Sequence, residues 1–177
     1  EISQEELIIG EKLGEGGQAV VMRGMWRGIE VAVKQPKKSK ELLQRQSKGH
    51  SSSGHAMESF KEAVRREARA LSRVRHHNVV HLYGVCFEPS PMVLIPFAPS
   101  GTLQDALDNN EFRGNVAVIR LLRGIACGME AVHAHQIIHL DLKPENVLIG
   151  PGDVPWITDF GLSTSANMTS MSTSSAG

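Results

Sequence analysis

The stretch that decides the fold is His139-Leu140-Asp141-Leu142-Lys143-Pro144-Glu145-Asn146-Val147-Leu148-Ile149, with Asp159-Phe160-Gly161 after it. Asp141, Lys143 and Asn146 are spaced closely enough for one extended loop to turn all three side chains toward one point. Residues 147–158 form two apolar runs separated by a Gly-Pro-Gly-Asp turn. Two short strands joined in this way would bring Asn146 and Asp159 side by side. Carboxylate and amide oxygens suit Mg²⁺, which is commonly held together with substrate phosphates.

These residues resemble the catalytic loop and the metal-binding Asp-Phe-Gly triplet of protein kinases. The fold that the resemblance implies is α+β with two lobes. The small lobe would contain an antiparallel sheet and one main helix, and the partial large lobe would be mostly helical. One position departs from the family pattern, because Leu140 stands where most members carry Arg. A kinase sequence must also supply a Gly-rich loop, a strand Lys and a helix Glu, in that order.

Composition limits the classes of protein that the chain can belong to. With 177 residues, 41% of them hydrophobic, it can build a core, and its 19 basic residues balance its 19 acidic residues. Net charge therefore gives no argument for binding nucleic acid or an anionic membrane. Cys86 and Cys127 are too few for a disulfide framework, which indicates buried thiols in a reducing compartment. No apolar run approaches a membrane span, and the acidic N-terminus is unlike a signal peptide. We expect a soluble, intracellular, cytoplasmic protein of unknown oligomeric state.

Residues 7–24 predict a Gly-rich hairpin of two strands. Because Gly14 and Gly16 lack side chains, their backbone can approach phosphate oxygens closely and direct amide groups at them. The kinase pattern Gly-x-Gly-x-x-Gly-x-Val has Ala19 in place of its third Gly and Val21 as its Val. An ordinary glycine turn is the alternative. A dinucleotide-binding loop is disfavoured, because that motif opens a helix and the residues around Val21 are typical of a strand.

Residues 30–34 predict a third strand that ends in Lys34. A lone Lys at a strand end is usually solvated, but the resemblance implies that this Lys pairs with the α- and β-phosphates and with a helix Glu. Apolar side chains recur at three- and four-residue spacing over residues 57–75, which predicts that helix. The resemblance makes Glu67 the expected partner, because it lies nine residues before His76, as in the family's helix that runs into a His-x-Asn-Val-Val stretch. Glu62 is the alternative, and a surface salt bridge is the ordinary explanation for either.

Two further segments have a plain interpretation beside a functional one. Residues 35–56 are rich in Lys, Ser and Gly, which predicts a flexible basic insertion, with a phosphorylation site as the alternative. His76, His77 and His81 could suggest a metal, but zinc sites need a second ligand pair at defined spacing. His76 and His77 are instead expected to close the preceding helix, whose negative end favours positive charge.

Residues 79–87 and 91–97 predict two apolar strands. The second leads into a segment that resembles the hinge of kinases, in which Ile95 would be the gatekeeper, and Phe97 and Ala98 would offer backbone groups to the adenine base. The resemblance assigns further nucleotide-binding roles to Leu13, Gly14, Glu15, Gly16, Gly17, Val21, Ala32, Lys34 and Leu148.

The C-terminal half predicts two helices. Ser100 or Thr102 can cap the first, over residues 103–110, and Asn115 can cap the second, over residues 116–134. One face of the second helix would carry Ile119, Leu122, Ala126, Met129 and His133. Its two glycines, Gly124 and Gly128, each weaken the helix by about 1 kcal/mol relative to Ala, which indicates close packing against a neighbour.

The resemblance also implies a role for each polar residue of the loop. Asp141 would accept the proton of the substrate hydroxyl, and Lys143 would neutralise the transferring phosphate. Asn146 and Asp159 would hold Mg²⁺ beside ATP. With Lys34 and its partner Glu67, Asp141 and Lys143 complete the expected catalytic set.

The substrate class follows from the same resemblance. Lys-Pro-Glu after Asp-Leu is similar to serine/threonine kinases, and Leu82-Tyr83-Gly84-Val85-Cys86 is similar to their tyrosine-kinase-like group, so the acceptor would be a protein Ser or Thr hydroxyl. The alternative is a nucleotide-binding pseudokinase or scaffold module without phosphotransfer, which Ala19 and Leu140 favour.

The expected domain organisation is a small lobe over residues 1–97 and a partial large lobe over residues 98–177 that ends in the activation segment. The chain ends eighteen residues after Asp159, before an Ala-Pro-Glu motif, so the resemblance implies a C-terminally incomplete domain. Leu140 cannot bind an activation-loop phosphate as Arg would. We therefore expect activity independent of that contact, although the Ser/Thr-rich residues 163–175 invite phosphorylation for other reasons.

Overall fold

A computed structural model describes residues 1–16, 19–37, 52–111 and 114–165. The predictions made for Gly17, for most of the basic insertion and for most of the Ser/Thr-rich tail lie outside these residues. The chain divides into two compact units, Glu1–Ala68 with Leu82–Phe97 and Arg69–His81 with Ala98–Gly177. Residues 69–81, which the sequence places with the small lobe, therefore cluster with the second unit.

The described residues form nine β-strands and three α-helices. The helices are α1 (Ser52–Arg73), α2 (Leu103–Asp108) and α3 (Asn115–Ala134). The strands are β1 (Leu7–Glu15), β2 (Ala19–Trp26), β3 (Ile29–Pro36), β4 (Gly84–Cys86), β5 (Met92–Pro96), β6 (Ile137–Ile138), β7 (Val147–Gly150), β8 (Val154–Ile157) and β9 (Thr164–Ser165). Single 3-10 turns precede β1, β7 and β8 and follow Asp159.

The first unit is built on an antiparallel five-stranded sheet in the order β1-β2-β3-β5-β4. Val31, Val33 and Leu94 are fully buried, because alternate residues of the central strands project to one side of the sheet. They pack in a core cluster that also includes Leu7, Cys86 and Met92. The predicted Gly-rich hairpin consists of β1, which continues to Glu15, and β2, which begins at Ala19.

Helix α1 buries the apolar stripe that its sequence predicts. Phe60, Val64 and Leu71 are buried, and they follow the three- and four-residue spacing of a helix face. The helix ends at Arg73, two residues before the predicted end. The expectation that His76 closes this helix was therefore wrong: it lies in the following turn, where its Nδ1 accepts a hydrogen bond from a backbone amide at 3.1 Å.

The second unit contains two short antiparallel sheets of two strands each, β6 with β9 and the hairpin β7 with β8. Residues 78–80 lie along β8, where Val79 forms a parallel bridge with Ile157 and the Val80 amide donates to the Ile157 carbonyl at 2.9 Å. The predicted strand over residues 79–87 was therefore too long. Of residues 79–87, Gly84–Cys86 pair as a strand in the sheet of the first unit. The residues on either side of Val79 are bonded to β8 instead, because the Val80 amide donates to the Ile157 carbonyl and the Asn78 carbonyl accepts the Ile157 amide.

The N-terminal caps of α2 and α3 test one prediction each. Thr102 caps α2, since its hydroxyl accepts the Asp105 amide and the Asp105 carboxylate accepts the Thr102 amide, a capping box. Thr102, not Ser100, is thus the residue that the structure selects. The prediction that Asn115 caps α3 was wrong. Gly114 takes that position at φ 92°, a conformation that favours glycine, and Asn115 is the first helical residue.

The buried face of α3 is not the predicted one. Leu121, Gly128 and Val132 are buried, whereas Ile119 and Leu122 are exposed. The glycines determine the orientation, because a Cβ at Gly124 would lie 2.6 Å from Pro155 and one at Gly128 would lie 2.7 Å from Ile157. The predicted close packing at Gly124 and Gly128 is confirmed. The apolar residues that define the predicted face lie elsewhere on the helix.

Candidate active site

Lys34 and Glu67 form an ion pair inside the first unit. Lys34 lies on β3, opposite Val21 of β2 and Val93 of β5. Its Nζ donates to Oε2 of Glu67 on α1 at 3.0 Å. Only 3% of the Glu67 side chain is exposed, against 21% for Lys34. The expected partner thus lies in contact with Lys34, and the alternative, Glu62, contacts Arg65 at 3.5 Å.

The candidate nucleotide residues of the central strands share one face of the sheet. Val21 pairs with Lys34, and Ala32 pairs with Ile95 in the neighbouring row. Directly opposite residues of antiparallel strands project to the same side, as do residues two positions apart. Val21, Ala32, Lys34 and Ile95 therefore form one continuous surface, with an ammonium group at one end.

The Gly-rich hairpin leaves open space above its backbone. A Cβ at Gly14 would meet no atom within 4 Å, and the Gly16 amide donates to the Ala19 carbonyl at 2.9 Å across the turn. Leu13 is exposed. Beside these residues, hydrogen bonds from Lys12 and Lys37 lower the pKa of Glu15 to about 2. The described part of the hairpin thus has room at Gly14 for a ligand to approach the main chain.

The remaining candidate nucleotide residues are partly buried or buried. In the first unit, Phe97 follows β5 and is partly buried. In the second unit, Ala98 is buried and its carbonyl accepts the Gly101 amide at 3.1 Å. Leu148 lies on β7, paired with Trp156 and bridged to Thr102. These contacts hold the main chain in place at Ala98 and at Leu148.

Asp141 is the centre of a hydrogen-bonded loop in the second unit. Its Oδ2 accepts from Lys143 Nζ at 2.9 Å and from Asn146 Nδ2 at 2.9 Å. The same Asn146 amide also donates to the Asp141 carbonyl at 2.8 Å. The hydrogen bond from Lys143 is the main reason that the pKa of Asp141 is lowered, and the bond to Asp141 raises the pKa of Lys143. The loop therefore holds an ionised carboxylate against a protonated amine.

His139 supports this loop from the core, a role that its place in the sequence does not reveal. Its side chain is 1% exposed, its Nε2 donates to the Thr158 carbonyl at 2.8 Å, and its Nδ1 accepts the Asp141 amide at 3.3 Å. The two contacts select the tautomer with its proton on Nε2. The buried Phe160 ring meets the imidazole edge to face at 4.7 Å. The sequence signal for this role was weak: His139 stands in an apolar run, after two Ile residues and before Leu140.

Asn146 and Asp159 come close together through the β7–β8 hairpin. The Asn146 carbonyl accepts the amide of Thr158, the residue before Asp159, at 3.0 Å. Asp159 has a left-handed backbone (φ 62°), and its Oδ1 accepts the Gly161 amide at 3.4 Å. Within the described ranges, no group of three or more His, Cys, Asp or Glu side chains could hold a metal by itself. One carboxylate and one amide suit Mg²⁺ only when phosphate oxygens complete its shell.

Leu140 marks the departure from the kinase pattern. Its φ is 66°, and 63% of its surface is exposed. A left-handed conformation is uncommon for a residue with a Cβ. The side chain therefore extends toward solvent immediately before Asp141, and it carries no group that could bind an anion.

The comparisons with known proteins define the family. The sequence matches the protein kinase domain over residues 7–177. It is 36% identical to a probable serine/threonine-protein kinase of Dictyostelium discoideum over 179 residues, which cover 100% of this chain and 18% of that protein. It is 30% identical to mitogen-activated protein kinase kinase kinase 13-B of Xenopus laevis over 178 residues, 100% of this chain and 16% of that protein. It is also 33% identical to tyrosine-protein kinase Btk of Drosophila melanogaster over 167 residues, 92% of this chain and 19% of that protein.

The chain belongs to the protein kinase domain family, because the match covers nearly all of its length. The predicted resemblance and the α+β fold with an antiparallel sheet and one main helix beside it are confirmed. The chain spans less than a fifth of the length of the relatives named above. In the part of the chain that the structure describes, no helix has the length and apolarity needed to cross a membrane.

Proposed function

We propose that the chain is the catalytic part of an ATP-dependent protein serine/threonine kinase, which transfers the γ-phosphoryl group to a Ser or Thr hydroxyl. The observation that carries this proposal is the loop in which Asp141 is bound by both Lys143 and Asn146. Phosphoryl transfer needs little covalent chemistry from a protein, so positioned charges account for most of the catalysis. An ionised carboxylate that is held in place beside an ammonium group meets that need.

ATP fits the residues of the first unit. In the proposal, Lys34 binds the α- and β-phosphates, and Glu67 keeps the ammonium group in place. The open backbone at Gly14 and Gly16 receives phosphate oxygens, and Leu13, Glu15, Gly17 and Val21 complete this end of the site. In the first unit, Ala32, Ile95 and the backbone of Phe97 would contact the adenine base. In the second unit, the resemblance assigns nucleotide-binding roles to Ala98 and Leu148.

Mg²⁺ fits the oxygen atoms of the second unit. Asn146 and Asp159 would hold it, with phosphate oxygens completing the shell. When bound, the ion neutralises charge on the phosphates. Asp141 would then take the proton from the acceptor hydroxyl, a role that its lowered pKa permits because the carboxylate is ionised at neutral pH. Lys143 would stabilise negative charge on the transferring group.

The finer assignments are also part of the proposal. We assign the chain to the tyrosine-kinase-like group, with a small lobe over residues 1–97 and a large lobe from residue 98. Its substrate is a protein, and its location is cytoplasmic. Support comes from Lys143-Pro144-Glu145, which is similar to serine/threonine kinases, and from a relative whose name describes a serine/threonine-protein kinase.

Two measurements test the function in the longest natural form of the protein. First, ATP with Mg²⁺ should raise the melting temperature, and ATP with EDTA should raise it less. Second, phosphoamino-acid analysis of a labelled protein substrate should show phosphoserine or phosphothreonine. Stabilisation by ATP without transfer would instead identify a nucleotide-binding pseudokinase, and product that contains only phosphotyrosine would overturn the assigned acceptor.

A further inference from the structure

Arg23 lies on the same face of the sheet as the candidate nucleotide residues. It pairs with Ala32 across β2 and β3, and Ala32 pairs with Ile95 across β3 and β5. Opposite residues of antiparallel strands project to one side, so the three side chains form a row. The neighbouring row contains Val21 and Lys34. Arg23 is thus a second charged residue, besides Lys34, on the surface assigned to the nucleotide.

The Arg23 side chain reaches across β3 to Phe97. Its guanidinium carbon lies 4.6 Å from the centre of the Phe97 ring, within the range of a cation–π contact. The side chain at the crossing point is Ala32, which is small enough to let the guanidinium pass over the strand. Phe97 is the residue that directly follows β5, so a contact to its ring restrains the main chain just beyond the sheet.

Two carboxylates hold the guanidinium in this position. Arg23 Nε donates to Glu30 Oε1 at 3.2 Å, its second terminal nitrogen donates to the same oxygen, and its first donates to Glu11 Oε1 at 3.3 Å. Glu11 and Glu30 come from the two strands that flank β2. Because the guanidinium is planar, it can bind both carboxylates at its edge while its face contacts the ring. Arg23 could not leave Phe97 without losing these charge-assisted bonds.

We propose that Arg23 is a positioning residue for nucleotide binding. With Glu11 and Glu30 it holds the Phe97 ring against the sheet, and so fixes the backbone groups beside Phe97 that receive the adenine base. This inference rests on the proposed function, since it assigns a use to the hinge of the same site. Arg23 itself does not touch the reacting phosphate, so its loss weakens binding of the nucleotide without slowing the transfer step.

Arg27 provides a matched control on the same hairpin. It follows Trp26 and lies over that ring at 5.1 Å, and it is paired with Glu6 at 2.7 Å. Trp26 packs against the core cluster on the opposite side of the sheet from Arg23. Arg27 therefore makes the same types of contact as Arg23, with a ring and a carboxylate, and both of these partners lie outside the hinge segment.

The test is a double-mutant cycle on binding of the non-hydrolysable analogue AMP-PNP with Mg²⁺, measured by calorimetry on the full-length protein. The variants are Arg23→Met, Phe97→Leu and the double variant, with Arg27→Met as the control. Arg23→Met should weaken binding about fivefold, the difference expected for an exposed cation–π contact. Phe97→Leu should weaken it to a similar extent, and the double variant should be no weaker than either single variant. In the kinase assay, KM for ATP should rise while kcat stays unchanged.

The outcomes separate this inference from the proposed function. If the wild-type protein fails to bind AMP-PNP, the proposed function is overturned. If the wild-type protein binds but Arg23→Met binds equally well, or if the effects of Arg23→Met and Phe97→Leu add, the inference alone is overturned. An equal loss in Arg27→Met would also overturn it, because the effect would then be structural. If Arg23→Met does not fold, Glu30→Gln is measured in its place. It should weaken AMP-PNP binding by less than about fivefold, and its effect should not add to that of Phe97→Leu.

Discussion

The Lys34 ammonium donates to the Glu67 carboxylate at 3.0 Å across 33 positions of sequence. The pair ties the central strand β3 to the helix α1, and it is asymmetric, because 21% of the Lys34 side chain is exposed but only 3% of the Glu67 side chain. Taking the cation away from a buried carboxylate costs more than taking the anion away from a partly exposed ammonium group, which water can reach. The stability of the first unit should therefore depend more on the cation than on the anion.

Replacing Lys34 should be more destabilising than replacing Glu67. We expect Lys34→Met to lower the free energy of unfolding by about 3 kcal/mol, since it takes the ammonium group away from a buried carboxylate. Glu67→Gln should cost less, because Lys34 can still reach water. Lys61→Met is the control: its partner Glu88 is 81% exposed, so we expect a change below about 1 kcal/mol. Urea denaturation measures all three, and a reversed order for Lys34 and Glu67 would refute the asymmetry.

The carboxylate of Asp141 should titrate below the usual range of an aspartate. Its lowered folded-state pKa, caused first by Lys143, means that its contribution to stability is present at neutral pH and is lost as the pH falls through the folded value. Lys143→Ala should raise the pKa of Asp141 toward its usual range. Carbon-detected NMR titration of the carboxyl groups measures the shift.

Lys12→Ala is the control for this titration. Lys12 is the first cause of the low pKa of Glu15, about 2, so its removal should raise the pKa of Glu15 and leave that of Asp141 unchanged. A pKa of Asp141 that does not respond to Lys143→Ala would show that the ion pair does not form in solution.

Because α3 packs closely at Gly128, adding one methyl group there should destabilise the folded protein. Gly128→Ala should lower the free energy of unfolding by about 1–3 kcal/mol, because the new Cβ meets both the Ile157 side chain at 2.7 Å and the Asn78 carbonyl at 2.8 Å. Helix propensity alone predicts a gain of about 1 kcal/mol, so the sign of the change is decisive. Arg123→Ala, an exposed position of the same helix, should be nearly neutral. Thermal unfolding of both variants is the measurement, and a stabilised Gly128→Ala protein would contradict the packing.

Leu140 stands where most members of the family carry an Arg that binds an activation-loop phosphate. We therefore expect activity that does not depend on such a phosphate. Treatment of the full-length protein with a phosphatase should leave most of its activity, because Leu140 cannot bind a phosphate. Leu140→Arg, which restores the usual residue of the family, should gain sensitivity to the phosphatase. A large loss of activity from the dephosphorylated wild-type protein would contradict this expectation.

Strand β3 and the helix that carries Glu67 were predictable from local patterns, because alternating apolar residues indicate the strand and apolar residues at three- and four-residue spacing indicate the helix. The partner of Lys34 was predictable only through the resemblance to kinases, because the two residues lie 33 positions apart. The polar loop was predictable as a cluster, but not its bonding. Nothing in the spacing shows that the side-chain amide of Asn146 donates to both the main-chain carbonyl and the carboxylate of Asp141.

The errors arose where tertiary contacts outweigh local pattern. Periodicity groups Ile119 and Leu122 on one apolar face of α3, but both side chains are exposed. The buried face is set by Gly124 and Gly128, which approach β8 closely and which a search for apolar side chains overlooks. Val79 looks like part of a strand that continues to residue 87, but its bridge partner is Ile157. The contact of Arg23 with Phe97 had no sequence signal, since it joins two residues 74 positions apart.

The most direct test of the account is transfer of labelled γ-phosphate from ATP by the full-length protein and by its Asp141→Asn variant. We predict that the variant loses about 10²- to 10⁴-fold in kcat, the usual contribution of a general base, and binds AMP-PNP as tightly as the wild-type protein. Asp153→Asn, an exposed aspartate of the β7–β8 turn, should retain full activity. An Asp141→Asn variant as active as the wild-type protein, or a wild-type protein that binds ATP but transfers no phosphate, would contradict the central claim.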